Sequence, residues 1–132
     1  MNIWYLSLTK PPLTPPTSYF PVAWSFLYLL MAVAFFIVIT KPNSKEKLYA
    51  TNLFLIQLIF NFLWSYLFFV MKSIELALVD VILLVVVLIF TVVYFFRLSK
   101  FAGWLLVPYL LQVIFALYLN FGILILNWSY IL

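Results

Sequence analysis

Carboxamide side chains recur inside stretches that are otherwise almost all hydrocarbon, and their spacing is the first chemical signal in this chain. Gln57, Asn61, Trp64 or Ser65, and Phe68 follow one another at steps of three and four residues. Tyr109, Gln112, Ala116 and Asn120 do the same, with Asn127 further on. On a helix such steps stack side chains on a single face. In hydrocarbon an amide needs a hydrogen-bond partner, so both faces are expected to point inward and meet across a bundle. Two uses fit. As interhelical glue, each buried amide contributes about 0.6–2 kcal/mol and needs no ligand. As orienting groups, the amides serve a flat apolar ligand held between aromatic walls. Trp24 and Trp64 sit beside polar or proline neighbours and suit such walls, whereas Tyr49, Trp104, Trp128 and Tyr130 read as a belt at head-group level. The pattern alone leaves both uses open.

Asp80 is a further candidate, since an ionisable group inside a span is costly and usually functional. It lies about one turn into its span, where a structural cap or interhelical hydrogen bond is the expected role. The chain has no histidine and no cysteine, which removes the commonest metal ligand and general base, disulfides and thiolate chemistry. No catalytic residue, metal or cofactor is therefore expected.

These side chains must be positioned by elements that live in a bilayer. Of 132 residues 69% are hydrophobic and 8% charged, against about 25% charged in a soluble domain. Stretches 20–40, 48–71, 76–96 and 104–131 each reach the roughly 20 residues that cross a hydrocarbon core. The expectation is an all-α integral membrane protein, a single domain over 1–132 with a bundle of four transmembrane helices. The connections 41–47, 72–75 and 97–103 are short, so successive helices run antiparallel. Residues 1–19 show no apolar h-region and no basic start, so no signal peptide is expected. Their prolines, Pro11, Pro12, Pro15 and Pro16, with Pro21 beyond, forbid a long helix and suit a lid over a pocket mouth.

The formal net charge is +4, but the seven cations are scattered over connections and form no stripe for nucleic acid. Lipid head groups are their expected partners. Connections 41–47 and 97–103 hold five of the seven, which places both in the cytoplasm and the termini on the far side, the periplasm in a bacterial inner membrane.

Ordered motifs along nearly the whole chain resemble the TspO/MBR family, that of the translocator protein or peripheral benzodiazepine receptor. Trp4-Tyr5-x-x-Leu8-x-Lys10-Pro11-x-x-x-Pro15-Pro16, then Pro21-x-x-Trp24-x-x-x-Tyr28-x-x-Met31, is similar to its first long loop and second helix. Gln57-x-x-x-Asn61-x-x-Trp64-Ser65-x-x-Phe68-Phe69 looks like its third helix and Ala77-Leu78-Val79-Asp80 like the start of its fourth. Pro108-Tyr109, Phe115-Ala116 and Leu119-Asn120 look like its fifth. The resemblance implies a dimeric membrane protein that binds porphyrins or similar flat apolar ligands in a bundle cavity and regulates or transports them. Carried over position by position, Tyr5, Pro15 and Pro16 form the lid and Trp24 and Tyr28 one wall. Asn61, Trp64, Ser65 and Phe68 form another wall, and Gln112, Ala116 and Asn120 line the last helix. Lys10 offers a cation to porphyrin carboxylates near the mouth.

Three departures qualify the resemblance. The family normally has five spans, and here Met1 falls just before the first-loop Trp-Tyr, so the expectation is a shortened member without the first helix. Gln112 stands where most members carry a tryptophan linked to light-dependent porphyrin breakdown, so weak or absent photodegradation is expected. Near the last helix's Leu-Asn, Phe121 replaces the tyrosine of the family's sterol pattern and no Lys or Arg follows Lys100. A formal sterol pattern does occur at Val92-x-Tyr94-x-x-Arg97, but membrane anchoring alone explains it. Rival readings are a small dimeric multidrug transporter, which needs a carboxylate near mid-membrane, and a tetrapyrrole-degrading enzyme, against which Gln112 argues.

Overall fold

The computed structural model describes residues 9, 10 and 19–126. The lid positions Tyr5, Pro15 and Pro16 and the last residues of the fourth span lie outside the described residues. Four helices account for nearly all the rest: α1 (Tyr19–Ile39), α2 (Lys45–Ser65), α3 (Ile74–Leu98) and α4 (Lys100–Leu126). A π-helical turn, Tyr66–Val70, extends α2. Each helix is long and apolar enough to cross a membrane, as expected of an all-α bundle.

Because the helices are apolar on every side, packing and not polarity chooses the inward face. On α3 the buried positions Ile74, Ala77, Val81, Leu84, Leu88, Thr91 and Phe95 recur at alternating steps of three and four. The opposite side presents Leu83, Val86, Phe90 and Val93 outward, where acyl chains would solvate them. α3 runs between α2 and α4, α4 continues the ring to α1, and α1 meets α2 over the narrowest contact of the ring.

A serine opens each of the last three helices. The Ser44, Ser73 and Ser99 hydroxyls accept from the backbone N–H of Lys47, Leu76 and Ala102 at 3.1, 3.3 and 3.3 Å. Such caps contribute about 1 kcal/mol each and, in a bilayer, satisfy donors that water cannot reach. They also explain why the helices outrun the expected boundaries. The connection expected over 97–103 shrinks to Ser99, an extended residue with φ −159° and ψ 121° between α3 and α4. α2 starts at Lys45, three residues early, since Ser44 caps it and Glu46 suits its first turn. The Lys47 ammonium then reaches back to the end of α1, donating to the carbonyls of Ile39 and Lys41 at 3.0 and 2.9 Å. A cation on carbonyls that a helix end leaves unbonded closes this corner.

Where α1 ends and α2 begins the core is built from small residues and stacked rings. Ala34, Ala50 and Ala102 are fully buried there and let the helices approach closely. Phe35 stacks on Phe54 at 4.6 Å between centroids, and Phe54 on Phe95 at 5.8 Å, which joins α1, α2 and α3 through three rings.

Candidate functional site

The opposite end of the bundle, where α1 begins and α2 and α4 end, is built from amides and large aromatics. Tyr28 on α1 donates its hydroxyl to Asn61 Oδ1 on α2 at 2.5 Å. Asn61 Nδ2 donates to the Tyr109 hydroxyl on α4 at 2.8 Å, and that hydroxyl donates onward to Gln57 Oε1 at 2.6 Å. Gln57 Nε2 completes the chain on the sulfur of Met31, 3.9 Å away. A second chain lies further along: Trp64 Nε1 donates to Asn120 Oδ1 at 2.9 Å, and Asn120 Nδ2 to the Ile74 carbonyl at 3.0 Å. The two amide faces do meet across the bundle. Gln57, Asn61, Gln112 and Asn120 are all buried.

These bonds bear on the choice between glue and ligand contact. Asn61 uses one lone pair and one N–H, and an amide has a second of each. It braces three helices and keeps capacity for a further bond. Trp64 differs, because its single N–H is engaged by Asn120 and only its ring face remains for a partner.

Two adjoining hollows share Trp24 and Trp64. The larger, about 240 Å³, is lined by Trp24, Tyr28, Asn61, Trp64, Ser65 and Phe69. The smaller, about 20 Å³, has room for about one water; Trp24, Trp64, Phe68, Gln112, Ala116 and Asn120 are among the residues that border it. Every wall residue carried over from the resemblance that lies within the described residues thus lines one hollow or the other. Trp24 packs 6.0 Å from the Tyr28 ring and edge-on to Tyr109 at 6.2 Å, while Trp64 stacks on Phe68 at 5.3 Å. The π-helical turn brings Phe69 to the wall as well as Phe68, with the two rings edge-to-face at 4.9 Å. A wider turn carries successive side chains inward that a regular helix would separate by 100°.

The candidate set omitted Tyr109 and Phe69. Tyr109 is fully buried and links the two amides of α2; its place in the Tyr109, Gln112, Ala116, Asn120 steps was a usable signal. Phe69 had a place in the third-helix motif of the family resemblance but none in the steps of three and four, since a π turn has no signature in the spacing. Asp80 is buried, and among the described residues neither carboxyl oxygen has a hydrogen-bond partner, so the interhelical bond expected of it does not occur among them. Ser73 caps α3 in its place, and Asp80 shares the inward stripe with Ala77, Val81 and Leu84, which offer no donor side chain.

Residues 1–126 match the model of the TspO/MBR family. The "Tryptophan-rich protein TspO" of Chlorobaculum tepidum is 44% identical over 94% of this chain and 79% of its own length. That of Archaeoglobus fulgidus is 42% identical over 96% and 82%. A "Translocator protein" from Bos taurus is 34% identical over 89% of this chain and 71% of its own.

Proposed function

The chain belongs to the TspO/MBR family of multi-pass integral membrane proteins, and from that premise we propose that it binds a porphyrin or similar flat apolar ligand between Trp24 and Trp64. The observation that carries this reading is the pair of indole rings bordering both hollows beside an amide, Asn61, with bonding capacity left. Flat ligands gain from π-faces, and one or two hydrogen bonds in a low dielectric fix their orientation. Ligand pockets run to roughly 300–1,000 Å³, so at about 240 Å³ the larger hollow takes one edge of a macrocycle. The remainder projects through the mouth, under the lid residues Tyr5, Pro15 and Pro16, with Lys10 as a cation for its carboxylates. Regulation or transport of the ligand follows binding in this reading.

Gln112 borders the smaller hollow, and a carboxamide can neither stack like an indole nor give up an electron readily. Binding without photodegradation is the form of the proposal, and efficient conversion of illuminated protoporphyrin would count against it. The homodimer is proposed from the family resemblance alone. The placement of connections 41–47 and 97–103 in the cytoplasm of an inner membrane is supported by their cation excess.

Titrating protoporphyrin into the detergent-solubilised protein and following tryptophan quenching tests the reading. Trp24→Ala and Asn61→Leu are each expected to weaken binding by about tenfold, roughly one lost contact of 1.4 kcal/mol. Trp64→Phe, which keeps a ring, weakens it less. Unchanged titrations for Trp24→Ala and Asn61→Leu together would remove the site from this part of the bundle.

A further inference from the structure

A further hollow, at the other end of the molecule, opens sideways toward lipid between α2 and α3. It measures about 290 Å³ and is lined by Tyr49, Asn52, Leu53 and Ile56 of α2 and by Phe90 and Tyr94 of α3. From the placement of its polar groups we infer that it seats one anionic glycerophospholipid, with the phosphate at Arg97 and an acyl chain along Leu53, Ile56 and Phe90.

The groove is graded in chemistry along its length. Tyr49 to Ile56 and Phe90 to Arg97 are each seven residues, about 10 Å along a helix axis. The antiparallel course of α2 and α3 aligns the two gradients. At one end lie the Tyr49 phenol, the Asn52 amide and the Arg97 guanidinium; at the other lie Ile56 and Phe90. That order, cation and donors first and hydrocarbon deeper, is the polarity profile of a phospholipid entering a leaflet. A groove meant for a purely apolar partner needs no such grading.

Arg97 is held for the task. Its guanidinium carbon lies 5.2 Å from the centroid of the Tyr94 ring, and Tyr94 packs against Tyr49 at 5.6 Å across the groove floor. A cation over a ring face spends no hydrogen bond on it, which leaves the N–H fork of the guanidinium for a phosphate. The surroundings favour an anion: Lys41, Lys45, Lys47, Arg97 and Lys100 gather at this end of the bundle, against the single acid Glu46. Basic positions between helices near the cytoplasmic face are where anionic head groups bind.

The same residues disfavour a sterol read from Val92-x-Tyr94-x-x-Arg97. Val92 is only 7% exposed and belongs to the core, so the three positions of that pattern do not share a lipid-facing surface. Ile56 and Phe90, which no sterol pattern names, are 43% and 55% exposed and line the groove.

The test is native mass spectrometry of the detergent-purified protein with added phosphatidylglycerol, phosphatidylcholine of the same chains, or cholesterol. One phosphatidylglycerol is expected to be retained about tenfold better than phosphatidylcholine, the discrimination of one charge-assisted contact. Arg97→Gln reduces that preference to parity. Lys72→Gln, an equal loss of charge at the far end, leaves it intact. Ile56→Trp, which fills the exposed groove, abolishes retention of both phospholipids with Arg97 still present. Equal retention of the two phospholipids by the unaltered protein, preferential retention of cholesterol, or equal losses from Arg97→Gln and Lys72→Gln would each overturn the assignment. So would Ile56→Trp converting a dimer to monomer with lipid retention unchanged, which would give the groove to a second copy.

Discussion

The two ends of the bundle solve opposite problems with the same few residue types. Around Phe35, Phe54 and Phe95 the aromatics stack on one another, small residues fill in behind them, and the hollows nearby, of about 270 and 290 Å³, are lined almost wholly by apolar and aromatic side chains. Around Trp24, Trp64 and Phe68 the aromatics lean on tyrosines and amides and leave two hollows between them. Both ends are buried among the same four helices in the same solvent. The difference lies in the amides. A hydrogen bond fixes distance and direction, so Asn61 and Asn120 hold the helices apart at a set spacing. Dispersion rewards only closer approach. In lipid, where no hydrophobic force draws helices together, polar struts are a direct way to keep a space open.

The sharpest way to break this comparison is to empty the packed end. Phe54 is 5% exposed and stacked between two rings, so Phe54→Ala leaves a void that four apolar helices cannot readily close. A loss of about 3 kcal/mol is expected in denaturant unfolding from detergent micelles. Protoporphyrin quenching is expected to stay as it was in the protein that remains folded. If binding falls in step with stability, the two ends are not separable.

The struts are tested by Tyr109→Phe. This change keeps the ring and removes the hydroxyl that accepts from Asn61 and donates to Gln57. Both amides lose a partner in a fully buried place, and a loss of about 1–2 kcal/mol is expected by the same unfolding assay. Because Asn61 keeps its bond from Tyr28, its side chain stays in the wall. The expected change in protoporphyrin affinity is therefore under about threefold, less than half a contact of 1.4 kcal/mol. A drop as large as that of Asn61→Leu would mean that Tyr109 positions the amide and Tyr28 does not.

Much of the packed bundle was legible in the sequence because hydrocarbon length and helix period are strong signals. Gln57, Asn61 and Trp64 on α2, and Tyr109 and Asn120 on α4, each declared a common side by steps of three and four, and the two sides do converge. What spacing could not show is which group each amide meets. That Asn61 lies between Tyr28 and Tyr109 depends on the depth at which α1 and α4 pass α2. The single-residue break at Ser99 and the reach of Lys47 to α1 were also hidden, since a flexible side chain or one cap can replace a longer loop. The partner of Asp80 was hidden for a related reason. A carboxyl on a buried face announces cost, and only the neighbouring helices decide whether a partner is present.

The smallest effect expected concerns the turn that follows the hollow end. Lys72 has φ 55°, in the left-handed region that favours glycine, and it follows directly on the π-helical turn that carries Phe68 and Phe69. The Ser73 N–H reaches back to the Leu67 carbonyl at 2.9 Å, and the Met71 N–H to the Tyr66 carbonyl at 3.0 Å, so the helix end is closed by bonds one and two residues longer than usual. A side chain with a Cβ costs about 1–2 kcal/mol in that conformation, and glycine returns part of the gain through a freer unfolded chain. Lys72→Gly is thus expected to raise stability by under about 1 kcal/mol, with Lys72→Ala giving no gain. Protoporphyrin titration is expected to be unchanged, because the closing bonds are backbone bonds that glycine keeps. Should Lys72→Gly stabilise the protein and weaken the ligand together, the strained lysine would be part of what holds Phe69 against the hollow. The contrast between an end of stacked rings and one strutted by amides would then extend to the turn itself.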